Sequence, residues 1–402
     1  MKILAIQPFL KGYTVHPVAG GKDKAALEIS RALVRAGHEL HVLPLPWGLE
    51  SRNSELLAQG QPYLLSPDGL QARVQPTLTK PDPPEFIPLF WKYLTRRRTY
   101  RQPCRTLFDL FWKSLLEKRR SVVRSITEND YDLLLVHQTG SDVPVIARQH
   151  GFRGRMVLIH HSPGLSLFLE HYDHVVFVSS RQRSDATARY PSLAERSSVI
   201  HYFADAEYFS PVDPQPRSEI TFIGVLESDR KGLDLLLDAY KLDSRLKRVL
   251  LNVIGEGPER EKYEMIARAA RLPVCFHGRL SHAKNAEILG RSGAYVMPSR
   301  AEGLALTYVE ALTMGVPIVG FPPNVTEIES ELGRPVGRPF RADCDPLEHL
   351  VETILELCTD ETAFSRRDRR AIARIARHRF SLETFHRNYT DLFQDLTESL
   401  QA

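Results

Sequence analysis

Short apolar runs alternate with amphipathic stretches of helical period, twice along this 402-residue chain, and that alternation restricts the folds open to it. In the first series "MKILAIQPF" reads as a buried strand, "KAALEISRALVRAG" as a helix closed by Gly37, and "HELHVLPL" as the next strand. A strand, a crossover helix and a strand in that order make a right-handed parallel unit. "YDLLLVHQ", "MVLIHH" and "HVVFVSS" continue the series, while residues 50–90, rich in proline and polar residues, read as looser chain. "FADAEYFSPVDPQPRSE", residues 203–219, carries three prolines and reads as a linker. A second series follows, with strands "EITFIGVL", "RVLLNVIG", "PVCFHG", "AYVMPS" and "PIVGFP" separated by helices such as "KGLDLLLDAYK" and "PEREKYEMIARAARL". The expected fold class is α/β, with two doubly wound domains facing across a cleft, residues 1–205 and 206–380. The last helix, within 381–402, is expected to return to the first domain.

Composition narrows the function classes. Hydrophobic residues make up 43% of the chain and charged residues 25%, as in a soluble globular protein. No apolar run approaches the ~18 residues of a membrane span. The opening decapeptide reads as a first strand rather than a secretory signal. Cys104, Cys275, Cys344 and Cys358 lie far apart, which suits a reducing, cytoplasmic compartment and offers neither a zinc site nor a disulfide framework. The net charge of +4 hides an asymmetry: residues 1–200 hold 27 Lys+Arg against 18 Asp+Glu, and the remainder is net acidic. No Gly-x-Gly-x-x-Gly follows a strand, which disfavours a nicotinamide enzyme.

"PSRAEGLALTYVEALTMGVPIVG" poses the chemical question. Glu302 and Glu310 have seven residues between them, ahead of and within a short helix that Gly315 and Pro317 should end. Counted at helical rise, the carboxylates stand about 12 Å apart. A glycosidase pair needs ~5–5.5 Å or ~6.5–9.5 Å, so these two do not act on one bond. They suit the two ends of a long ligand, with an anionic centre held by the helix N-terminal N–H groups between them. Taken alone, such a pair on a helix is more often solvated surface.

That element resembles the signature of retaining glycosyltransferases of the GT-B fold, family four (glycosyl transferases group 1), in which a Glu-x7-Glu follows Pro-Ser and ends in Gly-x-Pro. "GGKDKAALEISRALVRAGHELHVL", "RKGLDLLLDAY", "VIGEGPERE", "FHGRLSHAKNAEILGRSGAYVMPS" and "NVTEI" are similar to further family segments in the family's order. The resemblance implies two Rossmann-like domains and assigns roles. Glu302 would contact the donor sugar and Glu310 the ribose. Gly303, Leu304 and Ala305 would offer N–H groups to the diphosphate, and Lys231 would neutralise it as it leaves. Gly224, Gly255 and Gly257 would border the nucleotide, and Arg279 and Leu280 would receive the base. His160 or His161 would face the sugar from the first domain, with His137 a further candidate. Gly20 and Gly21 would bring backbone close to a phosphate or acceptor. No metal or other cofactor is implied; the donor is a substrate.

The chain departs from the family at Val225, where an arginine is usual, and Arg230 is the candidate substitute. Ala305 stands for a glycine, and Tyr202-Phe203 for an Asn-Gly. Thr326 and Glu329 read as a capping box. Residues 91–124 hold 11 Lys+Arg against 2 Asp+Glu with apolar residues at helical spacing. The segment suits an anionic membrane surface or, equally, a domain helix with a basic outer face. The expected activity is hexose transfer from a nucleoside-diphosphate sugar to a hydroxyl of a lipid-linked glycan or surface polysaccharide precursor, at the inner face of the membrane, with no nucleic-acid partner. The alternatives are a phosphorylase or epimerase of this architecture and a catalytically silent sugar- or nucleotide-binding homologue.

Overall fold

The computed structural model describes residues 1–7, 21–44, 62–64, 71–74, 122–137, 142–166, 168–211, 218–227, 230–341, 345–359 and 363–401. Gly20 and most of the basic segment 91–124 lie outside them. The first sheet has eight strands in the order β3-β4-β2-β1-β5-β6-β7-β8. They are β1 (Lys2–Gln7), β2 (Glu39–Pro44), β3 (Pro62–Leu64), β4 (Gln71–Val74), β5 (Leu133–Val136), β6 (Arg155–His160), β7 (His174–Phe177) and β8 (Ser197–Val199). Every pairing is parallel except β3 with β4. The second sheet, all parallel, runs β11-β10-β9-β12-β13-β14. Its strands are β9 (Glu219–Ile223), β10 (Leu250–Ile254), β11 (Val274–Gly278), β12 (Ala294–Met297), β13 (Ile318–Gly320) and β14 (Gly337–Pro339). The two-sheet parallel α/β architecture expected from the alternation is therefore present.

The helices used below are α1 (Gly21–Arg35), α2 (Val143–Gln149), α3 (Ser180–Arg189), α4 (Leu233–Leu242), α5 (Arg260–Ala269), α6 (His282–Gly290), α7 (Leu306–Thr313), α8 (Pro322–Leu332), α9 (Pro346–Thr359), α10 (Arg366–Arg379) and α11 (Leu382–Gln401). In β1 the two faces divide the core by parity. Ile3 and Ala5 join one cluster with Ala25 and Ile29 of α1, and Leu4 and Ile6 join another with Leu134 and Val136 of β5. Burial on both faces explains why these strands read as continuous apolar runs.

Three expectations need correction. Residues 50–90 include strands β3 and β4; β3 sits at the sheet edge, the position at which a strand tolerates a proline such as Pro62. The stretch 203–219 is not simply a linker. Phe203, Ala204 and Phe209 are buried in the larger core cluster, and Phe209 N donates to Asp205 O at 2.9 Å in a helical turn. Thr326 caps nothing. It lies inside α8, which starts at Pro322, and Glu329 Oε1 instead accepts from Val336 N at 3.1 Å beyond the helix end.

Helix α11 packs on α1. His386 Nε2 lies 3.0 Å from Glu28 Oε2, and Phe385 packs at a tilt against Phe203 and Tyr389, 4.7 and 4.8 Å between ring centroids. Among the described residues no helix is long and apolar enough to cross a membrane.

Candidate active site

The site forms where the C-terminal ends of β9, β10 and β12 meet α7. Gly232 has φ +78° and N-caps α4, and a methyl on it would come within 2.2 Å of Pro298 O. Only glycine allows the turn before α4 to lie this close to the Pro298-Ser299 strand end. Arg300 fastens the same turn: its N–H donates to Arg230 O at 2.9 Å, and its guanidinium grips Asp234 at 3.0 and 2.7 Å. This packing brings Lys231 Nζ to 2.6 Å from Glu302 Oε1. Both side chains are mostly buried, at 15% and 8% exposure. Arg230 pairs mainly with Glu227, and its NH1 stands 4.0 Å from the same Glu302 oxygen. An ammonium has three donors, so Lys231 keeps two for further acceptors beside Glu302, its one hydrogen-bond partner among the described residues.

Glu302 lies three residues ahead of Ala305, the N-cap of α7, and Glu310 lies inside that helix. Helical rise therefore does not measure their separation, contrary to the sequence estimate. The loop between them is held by Asn324 of α8, which is fully buried. Its Nδ2 donates to Gly303 O at 2.8 Å, and its Oδ1 accepts from Ala305 N at 3.3 Å. Of the three N–H groups expected to face an anion, that of Ala305 is thus already engaged. Gly303 lies close against the opposite domain. A methyl there would stand 3.0 Å from Gln182 Nε2, 3.2 Å from His161 O and 3.3 Å from Val178 Cγ2.

Arg181 of α3 reaches across as well, donating to Glu302 O at 3.1 Å and Pro163 O at 3.2 Å, with its guanidinium 5.6 Å above the Phe321 ring. Glu327 of α8 accepts from Ser180 N at 2.5 Å and lies 2.9 Å from His201 Nε2. Burial raises the Glu327 pKa, but the His201 and Ser180 contacts outweigh it and hold the carboxyl below its usual range. Sequence reading missed Arg181, which has no local signal, and singled out the segment "NVTEI" without giving Asn324 or Glu327 a role.

Glu310 is buried, and loss of hydration lifts its pKa to about 7 against the pull of Lys24. Lys24 Nζ, from α1 in the first domain, lies 3.9 Å from Glu310 Oε1. Gly21 opens the same helix. His160 is fully buried, 3.0 Å from Ser166 Oγ, and burial lowers its pKa to about 4. Its Nδ1 lies 3.4 Å from Gln182 Nε2, so both ring nitrogens face side chains of the first domain. His161 is half-buried, with Nδ1 2.8 Å from Tyr202 OH and Nε2 3.4 Å from His137 Nδ1. Burial takes His137 to a pKa of about 3, so it is neutral.

Gly255, at φ +138°, and Gly257 serve close backbone packing: methyls on them would stand 1.8 Å from Gly224 O and 2.2 Å from Leu226 O. Gly224 N and Leu226 N donate to Ile254 O and Glu256 O, both at 3.0 Å. The glycines thus lock two adjacent loops together. Arg279 is exposed and Leu280 half-buried at the edge of this pair. Val225 is 49% exposed beside it.

Residues 205–378 match the family model described as glycosyl transferases group 1. The fold is that of GT-B glycosyltransferases. Sucrose-phosphate synthase from Thermosynechococcus elongatus superimposes with a TM-score of 0.72 over 99% of this chain and 100% of that one, at 17% identity. A complex of the Anabaena protein HepE with UDP and glucose does so with a TM-score of 0.65 over 98% and 100%, at 16% identity. In sequence the chain is 26% identical over 217 residues to phosphatidyl-myo-inositol mannosyltransferase of Mycolicibacterium smegmatis, a match covering 50% of this chain and 56% of the relative. The chain thus matches about half the length of that curated relative.

Proposed function

We propose that the chain is a retaining glycosyltransferase that moves a hexose from a nucleoside-diphosphate sugar to a hydroxyl of a lipid-linked glycan or surface polysaccharide precursor. The observation that carries this reading is the Lys231–Glu302 pair, 2.6 Å apart beside the loop that opens α7, with Glu310 farther along the same helix. The matched family segment, the fold and the UDP and glucose held by the Anabaena relative support it. Residues 206–380 bind the donor in this reading, and residues 1–205 bind the acceptor at the cytoplasmic face of the membrane.

Glu302 accepts from sugar hydroxyls, and the Lys231 ammonium neutralises the β-phosphate. The bond from the anomeric carbon to the phosphate oxygen breaks with its electron pair going to phosphate. The acceptor oxygen bonds to the same face of that carbon, and its proton passes to the departing phosphate oxygen. Preorganised positive charge where negative charge develops is the main catalytic contribution. Arg230 supplies a second cation in place of the arginine absent at Val225. His161 addresses the sugar from the first domain.

A melting-temperature screen against UDP, GDP, ADP and their sugars tests the reading. A donor at 100 times its Kd stabilises the native state by about 2.7 kcal/mol. We expect one nucleotide family to raise the melting temperature. Radiolabelled transfer should fall by about two orders of magnitude or more in Lys231→Ala and Glu302→Ala. Folded protein that responds to no donor would favour the silent homologue, a reading motivated by the exposed valine at 225.

A further inference from the structure

Glu310 does not stand alone at its end of the cleft. Lys24 approaches it from α1, 3.9 Å away, and the ammonium also lies over the rings of Phe203 and Phe209 at 5.2 and 5.9 Å. The nitrogen is out of contact with solvent and donates no hydrogen bond to any described residue. His282, at the start of α6, packs against Phe209 and Tyr208, and its buried Nδ1 likewise has no described partner. Lys24 thus stands between a buried carboxyl on α7 and a buried imidazole on α6 that feels its charge. A buried ammonium without hydrogen bonds is costly, so retaining one calls for an acceptor that arrives from outside.

We propose that Lys24, contributed by the domain opposite the donor site, is a donor-binding and positioning residue that favours the carboxylate form of Glu310 by its charge and offers its ammonium to the oxygen atoms of the nucleotide that Glu310 holds. The assignment rests on the glycosyltransferase reading above. A carboxylate accepts from the two hydroxyls of a ribose, whereas a protonated carboxyl loses acceptor capacity. Two charged groups and one imidazole face Glu310 or its cation: Lys24 from α1, which favours the ionised form, Asp205 from the segment after β8, which opposes it, and His282 from α6, which burial and Lys24 hold below its usual pKa. The phenols of Tyr295 and Tyr308 stay neutral, because burial pushes both well up. With Lys24 present, Glu310 titrates at about 7; without it, burial and Asp205 act unopposed and the carboxyl takes its proton at higher pH.

Titration calorimetry with UDP, GDP and ADP, from pH ~5.5 to ~8.5, on the full chain tests this. The wild type should bind one of them, with affinity falling as pH drops through about 7. Lys24→Met fits the apolar stem between Phe203 and Phe209. It should move that midpoint up by about one unit or more and weaken binding at neutral pH by about tenfold. Lys24→Arg should keep the midpoint near that of wild type, and Glu310→Gln should flatten the pH dependence. Wild-type affinity and midpoint in a folded Lys24→Met variant would overturn the proposal while leaving the donor site intact. Absence of nucleotide binding by the wild type at every pH would instead overturn the glycosyltransferase reading on which it rests.

Discussion

Glu310 shows how a single residue at the site sets function against stability. Its folded pKa, about 7, lies above the ordinary value of 4.5, so the native state holds a proton that the unfolded chain gives up between those pH values. Stability contributed by the protonated form is present below about 4.5 and is lost as pH rises through about 7. Glu310→Gln removes the buried charge and keeps the shape. Urea denaturation should find that variant more stable than wild type at pH ~8, by on the order of 3 kcal/mol, and nearly equal at pH ~4.5. At this scale the sequence displayed the two glutamates and Lys231 but not their partners. Lys24, Arg181 and Asn324 reach the site only because crossovers bring distant strand ends together, and no local spacing records that. The histidine pair shows the same limit: adjacent in sequence, His160 and His161 point to opposite surroundings, one fully buried and one half-buried at the strand end.

At the scale of elements, the long parallel strands were legible because burial on both faces demands runs such as Leu133–Val136, all four buried. Strands β8, β13 and β14, three residues each, are too short to leave a period, although the segment of β13 was readable from its position after Gly315 and Pro317. Strands β3 and β4 hid in a proline-rich stretch because an edge tolerates what an interior strand does not. Helix α11 was expected to return to the first domain, and it does so on α1; the residues that attach it were not legible. Phe385 is 3% exposed and lies between the rings of Phe203 and Tyr389. Phe385→Ala should therefore cost about 3–5 kcal/mol, read as a lower urea midpoint with an unchanged slope.

At the scale of the molecule, Glu327 ties the two sheets' supporting helices together through Ser180 and His201. Its folded pKa lies below 4.5, so its contribution is present above that value and is lost as pH falls through the folded one. Acidification should loosen this contact before the core fails. The protection factor of the Ser180 amide should fall as pH drops through the folded pKa of Glu327 in the wild type and already be reduced at neutral pH in Glu327→Gln. Unchanged protection in that variant would show that the contact does not hold α3 to α8. The larger apolar cluster runs without a break from Ile3 in the first sheet, through Phe203 and Phe385, to Leu237 in the second. A chain built from two sheets is usually pictured as two bodies on a hinge. One continuous apolar interior makes their melting interdependent, and scanning calorimetry should record a single heat-absorption peak whose van't Hoff and calorimetric enthalpies agree.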